Sequence, residues 1–293
     1  MNEIDVSVIV VTFESASCIR DCLQSVRAQQ DVRCEVIVVD NASTDATAPI
    51  VRMADSSVRL IQNPKNLGFG RACNQAFAAC QGKFIYLINP DAQLVGPEAL
   101  ACLCRELQGH PGWGMAGTAY LSPNGRPKGP PNKDYPGESC TRTNFSYLPG
   151  EIAWVIGASM FIRRQAYEAV GGFDLNFFLY AEDIDFCLRL RQHGYEIGFV
   201  ESAKVRHIGA ASEKGLDPYE VAVRRTQAIH LFWKKHFVPE DVAKLVRRDQ
   251  KRARYRMLLN GLLAAGLPPH SAVWRKHRRY RGTYDTSARF LAG

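Results

Sequence analysis

The run Phe84-Ile85-Tyr86-Leu87-Ile88 is followed at once by Asn89-Pro90-Asp91, and this junction limits the possible folds more than any other stretch. Five consecutive apolar residues, β-branched and aromatic among them, predict a strand covered on both faces, as in the middle of a parallel sheet. Pro90 has no N–H to donate, so the ladder stops there and Asp91 is delivered to the carboxyl edge. Ligands of open α/β sheets bind at that edge, and a carboxylate held there can ligate a hard divalent cation. The same Asn-Pro-Asp triplet also favours a plain turn, so the strand alone does not distinguish a site from a corner.

The residues before it repeat a strand-then-helix pattern. Residues 6–13 read as a strand, and 18–28 as a helix with Ile19, Cys22, Leu23 and Val26 on one face. A second strand over 35–40 stops at Asn41-Ala42-Ser43-Thr44-Asp45, and Asp45 or Thr44 caps a helix over 46–53. A third strand covers 58–61. The glycine-bearing loop Asn66-Leu67-Gly68-Phe69-Gly70-Arg71 then opens a helix over 72–80 that leads to the strand at Phe84. This alternation predicts an α/β fold, a doubly wound and mostly parallel sheet with flanking helices. Right-handed crossovers put all four strand exits on one edge. Further on we expect helices over 97–107, 164–170 and 186–193. Strands are expected over 115–121, 153–162 (broken at Gly157-Ala158-Ser159) and 197–200. The Pro-, Gly- and Asn-rich stretch from Ser122 to Gly150 reads as a lid, a binding loop or a disordered segment.

With 293 residues, 46% of them apolar, the chain can bury one large core, or one core plus an appendage. Its net charge of +8 is uneven. Residues 239–293 hold 13 Lys and Arg against 4 Asp and Glu, whereas the rest holds 24 against 25. A neutral body argues against a nucleic-acid enzyme with a basic cleft, and the basic tail argues for contact with an anionic surface. The nine cysteines lack paired spacing and read as reduced core residues, not as a zinc site or disulfide framework. The acidic start has no signal-peptide order, and no apolar run approaches the roughly 20 residues of a spanning helix. The expected location is the cytoplasm, with peripheral contact at the inner face of the plasma membrane.

Glu182-Asp183-Ile184-Asp185 opens a helix after the aromatic lead-in Phe177-Phe178-Leu179-Tyr180. Acids in a first turn complement the helix dipole, and Arg189 and Arg191 suit its last turns. The lead-in points instead to a partly dry site, where a carboxylate becomes more basic. A lone histidine is more often structural than catalytic, and His207 by itself reads first as structural.

Several segments, taken in chain order, resemble the family 2 glycosyltransferases of the GT-A fold over about residues 6–236, and bacterial rhamnosyltransferases within that family. They are Val10-Val11-Thr12-Phe13, Val38-Val39-Asp40-Asn41-Ala42-Ser43-Thr44-Asp45, Asn66-Leu67-Gly68-Phe69-Gly70-Arg71-Ala72-Cys73-Asn74, Asn89-Pro90-Asp91, Gly157-Ala158-Ser159, Gly172-Phe173-Asp174, Phe177 to Asp185, and His207. The resemblance implies a catalytic domain over 1–238 and a basic helical extension over 239–293. It implies that Asp40 accepts the imide N–H of uracil or thymine. Thr12, Phe13, Glu14, Asn41, Gly68, Arg71 and Asn89 would line the nucleotide sugar. Asp91, with His207 as second ligand, would hold Mg²⁺ or Mn²⁺ against the diphosphate. Asp183 would be the general base of a single inverting displacement, with Trp154 and Glu182 on the acceptor side. The implied donor is dTDP-L-rhamnose, and the implied acceptor a hydroxyl of a polyprenyl-diphosphate-linked glycan precursor. The Asn-Pro-Asp form departs from the wider family, where two aspartates are common, and the amide oxygen is the poorer ligand.

Three alternatives remain. A UDP-hexose donor keeps the mechanism. A non-catalytic nucleotide-binding module makes the acidic cluster structural. A dinucleotide oxidoreductase is disfavoured because the first strand exits into Thr12-Phe13-Glu14-Ser15, which has no glycine-rich phosphate turn.

Overall fold

The computed structural model describes residues 3–54, 56–209 and 215–292. They form two compact units. The first takes in the chain up to Asp134, then Leu148–Phe178, then Glu182 to the end of the last strand. The second takes in Tyr135–Tyr147, Leu179–Ala181 and the C-terminal helices.

In the first unit the order is β1 (Val6–Thr12), α1 (Ile19–Arg27), β2 (Cys34–Asp40), α2 (Thr47–Ala54), β3 (Arg59–Gln62), α3 (Phe69–Phe77), β4 (Phe84–Ile88), β5 (Ala92–Val95), α4 (Ala99–Gly109), β6 (Trp113–Leu121), β7 (Ser159–Arg163), α5 (Arg164–Ala169), α6 (Glu182–Gln192) and β8 (Glu196–His207). The eight strands make one sheet in the order β3-β2-β1-β4-β7-β6-β8-β5. β1 pairs in parallel with β2 and β4, and β2 with β3, so Thr12, Asp40, Gln62 and Ile88 all exit at one edge as expected. β4 is buried along its whole length. Its alternate side chains enter two apolar layers. Phe84, Tyr86 and Ile88 pack with α1 and α4, while Ile85 and Leu87 pack with α3, α5 and α6.

The second half of the sheet is mixed, because β7 runs antiparallel to both β4 and β6. The strand expected over 153–162 begins only at Ser159. The Ala158 carbonyl accepts from Asn89 N–H at 3.1 Å, off the end of β4. β5 has no strong sequence signal, and it exists because β8 is longer than expected. The pairing of β6 with β8 jumps from Thr118↔Val200 to Ala119↔Lys204, and beyond this bulge β8 continues beside β5 with His207 opposite Ala92. The stretch from Ser122 to Gly150 is described throughout, as turns, bends and irregular backbone with a short 3₁₀ helix at Glu138–Cys140.

The second unit contains α7 (Pro218–His236), α8 (Pro239–Ala264) and α9 (Ala272–Ala292). Asp217 caps α7 by accepting from Tyr219 N–H, with Pro218 in the first turn. The second unit holds α7 together with α8 and α9. An aromatic cluster of Tyr135, Phe145, Phe232 and Phe237 ties residues 135–147 to the C-terminal end of α7. All nine cysteines are unbridged.

Candidate active site

The β1 and β2 exits are laced together. Asp40 is completely buried, and its Oδ1 accepts from the Thr12 hydroxyl at 2.9 Å and the Ser43 hydroxyl at 2.5 Å. Glu14, at φ +50°, accepts from Thr44 N–H and hydroxyl through Oε1. Phe13 stands 41% exposed beside them. Asn41 is buried and structural in its contacts: its amide donates to the Gly68 carbonyl, and its Oδ1 accepts from Asn63 and Leu67 N–H. Of these residues, Phe13 and Glu14 are open at the edge, while Thr12, Asp40 and Asn41 brace it.

Gly68 has φ +85°, and a Cβ there would lie 2.2 Å from the Phe178 carbonyl oxygen. Phe69 N–H donates to that same carbonyl, so α3 begins against the aromatic lead-in of α6. Arg71 is exposed on α3 and donates to the Leu175 carbonyl at 2.9 Å.

Asn89-Pro90-Asp91 forms a turn at the end of β4. Ala92 N–H closes the turn on the Asn89 carbonyl at 3.0 Å. Asp91 is 6% exposed, with Oδ1 3.2 Å from His207 Nε2 and Oδ2 accepting from Gly209 N–H. Two residues more than a hundred positions apart therefore converge. The Asp91 carboxylate is an oxygen donor of the kind that suits Mg²⁺ or Mn²⁺, and the His207 imidazole is a softer second donor beside it. Among the described residues no third His, Cys, Asp or Glu joins them.

Asp183 sits in the first turn of α6, half-buried. Its Oδ2 accepts from Gly157 N–H and its Oδ1 from Ile184 N–H, each at 2.9 Å. Burial nevertheless raises its proton affinity above the ordinary carboxylate range. Glu182 is buried, and its Oε2 has no hydrogen-bond partner. Burial, then the neighbouring Asp183 charge, push its carboxyl upward as well. Asp185 is fully buried against Arg189 Nε at 2.7 Å, a structural pair. Trp154 is half-buried, and its indole donates to the Asp134 carbonyl.

Residues 7–171 match the sequence profile of "Glycosyl transferase family 2", and residues 140–211 match "N-terminal domain of galactosyltransferase". The chain belongs to glycosyl transferase family 2. Among similar family members is an N-acetylglucosaminyl-diphospho-decaprenol L-rhamnosyltransferase of Mycobacterium tuberculosis, 27% identical over 77% of this chain and 82% of the relative. A shorter match, 38% identical over 21% of this chain and 23% of the relative, is to rhamnosyltransferase WbbL of Escherichia coli. Similar solved folds include TarS 1–349 of S. aureus in complex with UDP (TM-score 0.60, 17% identity, 99% of this chain and 92% of that chain). A mannosyltransferase of Pyrobaculum calidifontis in complex with GDP-Man and Mn²⁺ is also similar (TM-score 0.60, 19% identity, 100% of this chain and 88% of that chain). The fold of this family 2 glycosyltransferase is of the GT-A type.

Three contacts that support the site residues join segments whose pairing the sequence does not show. Gly157-Ala158-Ser159 reads in the sequence as a break in a strand and as one of the family-like segments. It is a bridge: Gly157 binds Asp183, Ala158 binds Asn89, and Ser159 joins a buried hydroxyl chain with Tyr86 (2.9 Å) and Thr118 (2.8 Å). Asn74 receives Phe173 N–H and the Tyr167 hydroxyl, holding the chain that leads to α6. Arg191 was assigned to the helix dipole, yet it is buried and donates to the carbonyls of Leu148, Pro149 and Gly150. The unexpected conjunction of small residues in 157–159 was the available signal for the first. The others pair residues too distant in sequence to leave one.

Proposed function

We propose that this chain transfers L-rhamnose from dTDP-L-rhamnose to a hydroxyl of a polyprenyl-diphosphate-linked glycan precursor, with inversion at the anomeric carbon. The observation that carries the mechanism is Asp183, a partly open carboxylate of raised proton affinity, fixed by the Gly157 N–H. It takes the proton of the acceptor hydroxyl while that oxygen bonds to the anomeric carbon and the bond to the diphosphate breaks. Glu182 and Trp154 face the acceptor in this reading. The family assignment and the names of the relatives support the donor and the lipid-linked acceptor.

Asp91 and His207 would hold Mg²⁺ or Mn²⁺. The ion would neutralise charge on the departing nucleoside diphosphate. Phe13 and Glu14 line the nucleoside, and Arg71 reaches ribose or phosphate. Asp40 would accept the pyrimidine imide N–H once the Ser43 segment that encloses it gives way. The peripheral contact expected at an anionic membrane falls to the basic helices α8 and α9.

The test is nucleoside diphosphate release by the purified protein from dTDP-L-rhamnose, UDP-glucose, UDP-galactose and UDP-N-acetylglucosamine, with bacterial lipid extract as acceptor, with Mn²⁺ or Mg²⁺ and with chelator. Metal-dependent release from dTDP-L-rhamnose alone is expected. Release from a UDP-sugar alone would overturn the donor and keep the mechanism. Release that survives Asp183→Asn undiminished would overturn the mechanism.

A further inference from the structure

In the second unit, α8 and α9 form a hairpin whose closed end is unlike the rest of the surface. Tyr255, Leu258, Leu259, Leu262 and Leu263 follow one another at helical spacing on α8 and are 69, 55, 43, 77 and 59% exposed. Leu267, in the turn that follows, is 43% exposed. The opposite side of α8 is used within the hairpin. Gly261 lies against His277, the His277 ring nitrogen meets the Met257 carbonyl at 2.9 Å, and Trp274 donates to the Leu267 carbonyl at 3.1 Å. The apolar face is thus held in place by its own hairpin and turned to the outside.

What lies next to this face gives its partner. Lys251, Tyr255, Leu258 and Leu262 fall on one line of the helix, so the same face is cationic for its first turns and apolar for its last. Arg252 and Arg254 flank Lys251, and all three are exposed. Residues 247–281 contain eleven Lys and Arg and one acid, Asp249. From Lys251 to Leu262 is a rise of about 16 Å, enough for leucines to sit at the acyl boundary while the cations stay among headgroups. A second copy of the hairpin would bring the same positive charge to its partner, whereas an anionic lipid surface supplies the missing counter-charge.

We propose that the α8–α9 hairpin tip is a membrane-docking element that enters the interface of an anionic phospholipid bilayer obliquely, leucines inward and Lys251, Arg252 and Arg254 against lipid phosphates. The proposal deepens the lipid-linked acceptor reading by naming the surface that meets the lipid, but does not depend on which sugar is moved.

The experiment is flotation of the full-length protein with phosphatidylcholine vesicles and with phosphatidylcholine–phosphatidylglycerol vesicles. Two variants accompany it, Leu258→Ser/Leu262→Ser/Leu263→Ser and Lys251→Glu/Arg252→Glu/Arg254→Glu. Flotation with the anionic vesicles only, weakened by salt and reduced about tenfold or more in each variant, is expected. Circular dichroism checks that helicity is retained; if the triple leucine variant unfolds, Leu262→Ser takes its place, and an undiminished flotation of that variant overturns the proposal. It is also overturned if the wild type floats with neither vesicle, or equally with both. A leucine variant that becomes monomeric while still floating assigns the face to a second copy and overturns it too. Nucleoside diphosphate release in detergent, expected unchanged in the leucine variant, separates a failed docking surface from a failed transferase reading.

Discussion

Asp183 has two hydrogen-bond donors on its oxygens and is still driven by burial to hold a proton more tightly than a surface carboxylate. For Asp183→Asn the expected loss in turnover is on the order of a hundredfold to ten-thousandfold, with the circular dichroism spectrum unchanged. The same upward direction moves the acid limb of the wild-type pH–rate profile above the ordinary carboxylate range. A limb at that ordinary range would sink this assignment. Glu182 is shifted in the same direction, and there the shift bears on stability. Its folded-state proton affinity is raised, so the folded state is favoured while the group is protonated, and stability is lost as pH rises through the raised value. Glu182→Gln keeps the shape and removes the charge. Thermal melts should show it more stable than the wild type by on the order of 1 kcal/mol or more at mildly alkaline pH, and no better in acid. Sequence reasoning gave these two neighbours different roles only through the family resemblance; the physical difference between them is the Gly157 N–H, from a segment 26 positions away.

At the scale of elements, the start of α3 is the place where the backbone tolerates least. Gly68→Ala combines a left-handed backbone with a Cβ 2.2 Å from the Phe178 carbonyl. A cost of about 3 kcal/mol or more is expected by denaturant unfolding, together with weakened donor binding as the Asn41–Gly68 contact shifts. In the second unit, His230 on α7 is 1% exposed between Trp233 and Phe290, and neither ring nitrogen has a hydrogen-bond partner. Burial lowers its pKa to about 4. The unfolded chain therefore takes up a proton near the ordinary histidine value while the folded chain does not, and stability falls as pH drops from that value to about 4. His230→Phe should remove up to about 3 kcal/mol of that acid sensitivity in pH-dependent melts. Helix positions were legible from apolar spacing. The length of β8 was not, since a bulge moves its ladder by residues that carry no pattern of their own.

For the whole molecule, nine unbridged cysteines imply that reductant leaves the melting temperature unchanged. A thiol reagent should count nine groups in denaturant and few in the native protein. Cys73 and Cys187 are fully buried, and burial raises both thiols. Fewer than nine in denaturant, after non-reducing purification, would contradict the free-thiol assignment. By itself, the sequence determined the strand–helix alternation, the parallel half of the sheet and the common edge at Thr12, Asp40 and Asp91. These follow from period, proline and glycine, which act over a few residues. It also singled out Asp183 and His207 through their resemblance to a family pattern. Only the tertiary structure decided that Asp40 is enclosed, that Gly157-Ala158-Ser159 joins Asp183 to Asn89, and that α7 groups with the C-terminal helices. Each of those depends on hydrogen bonds or ring contacts between segments far apart in the chain, and such pairings arise from packing, which no local pattern encodes.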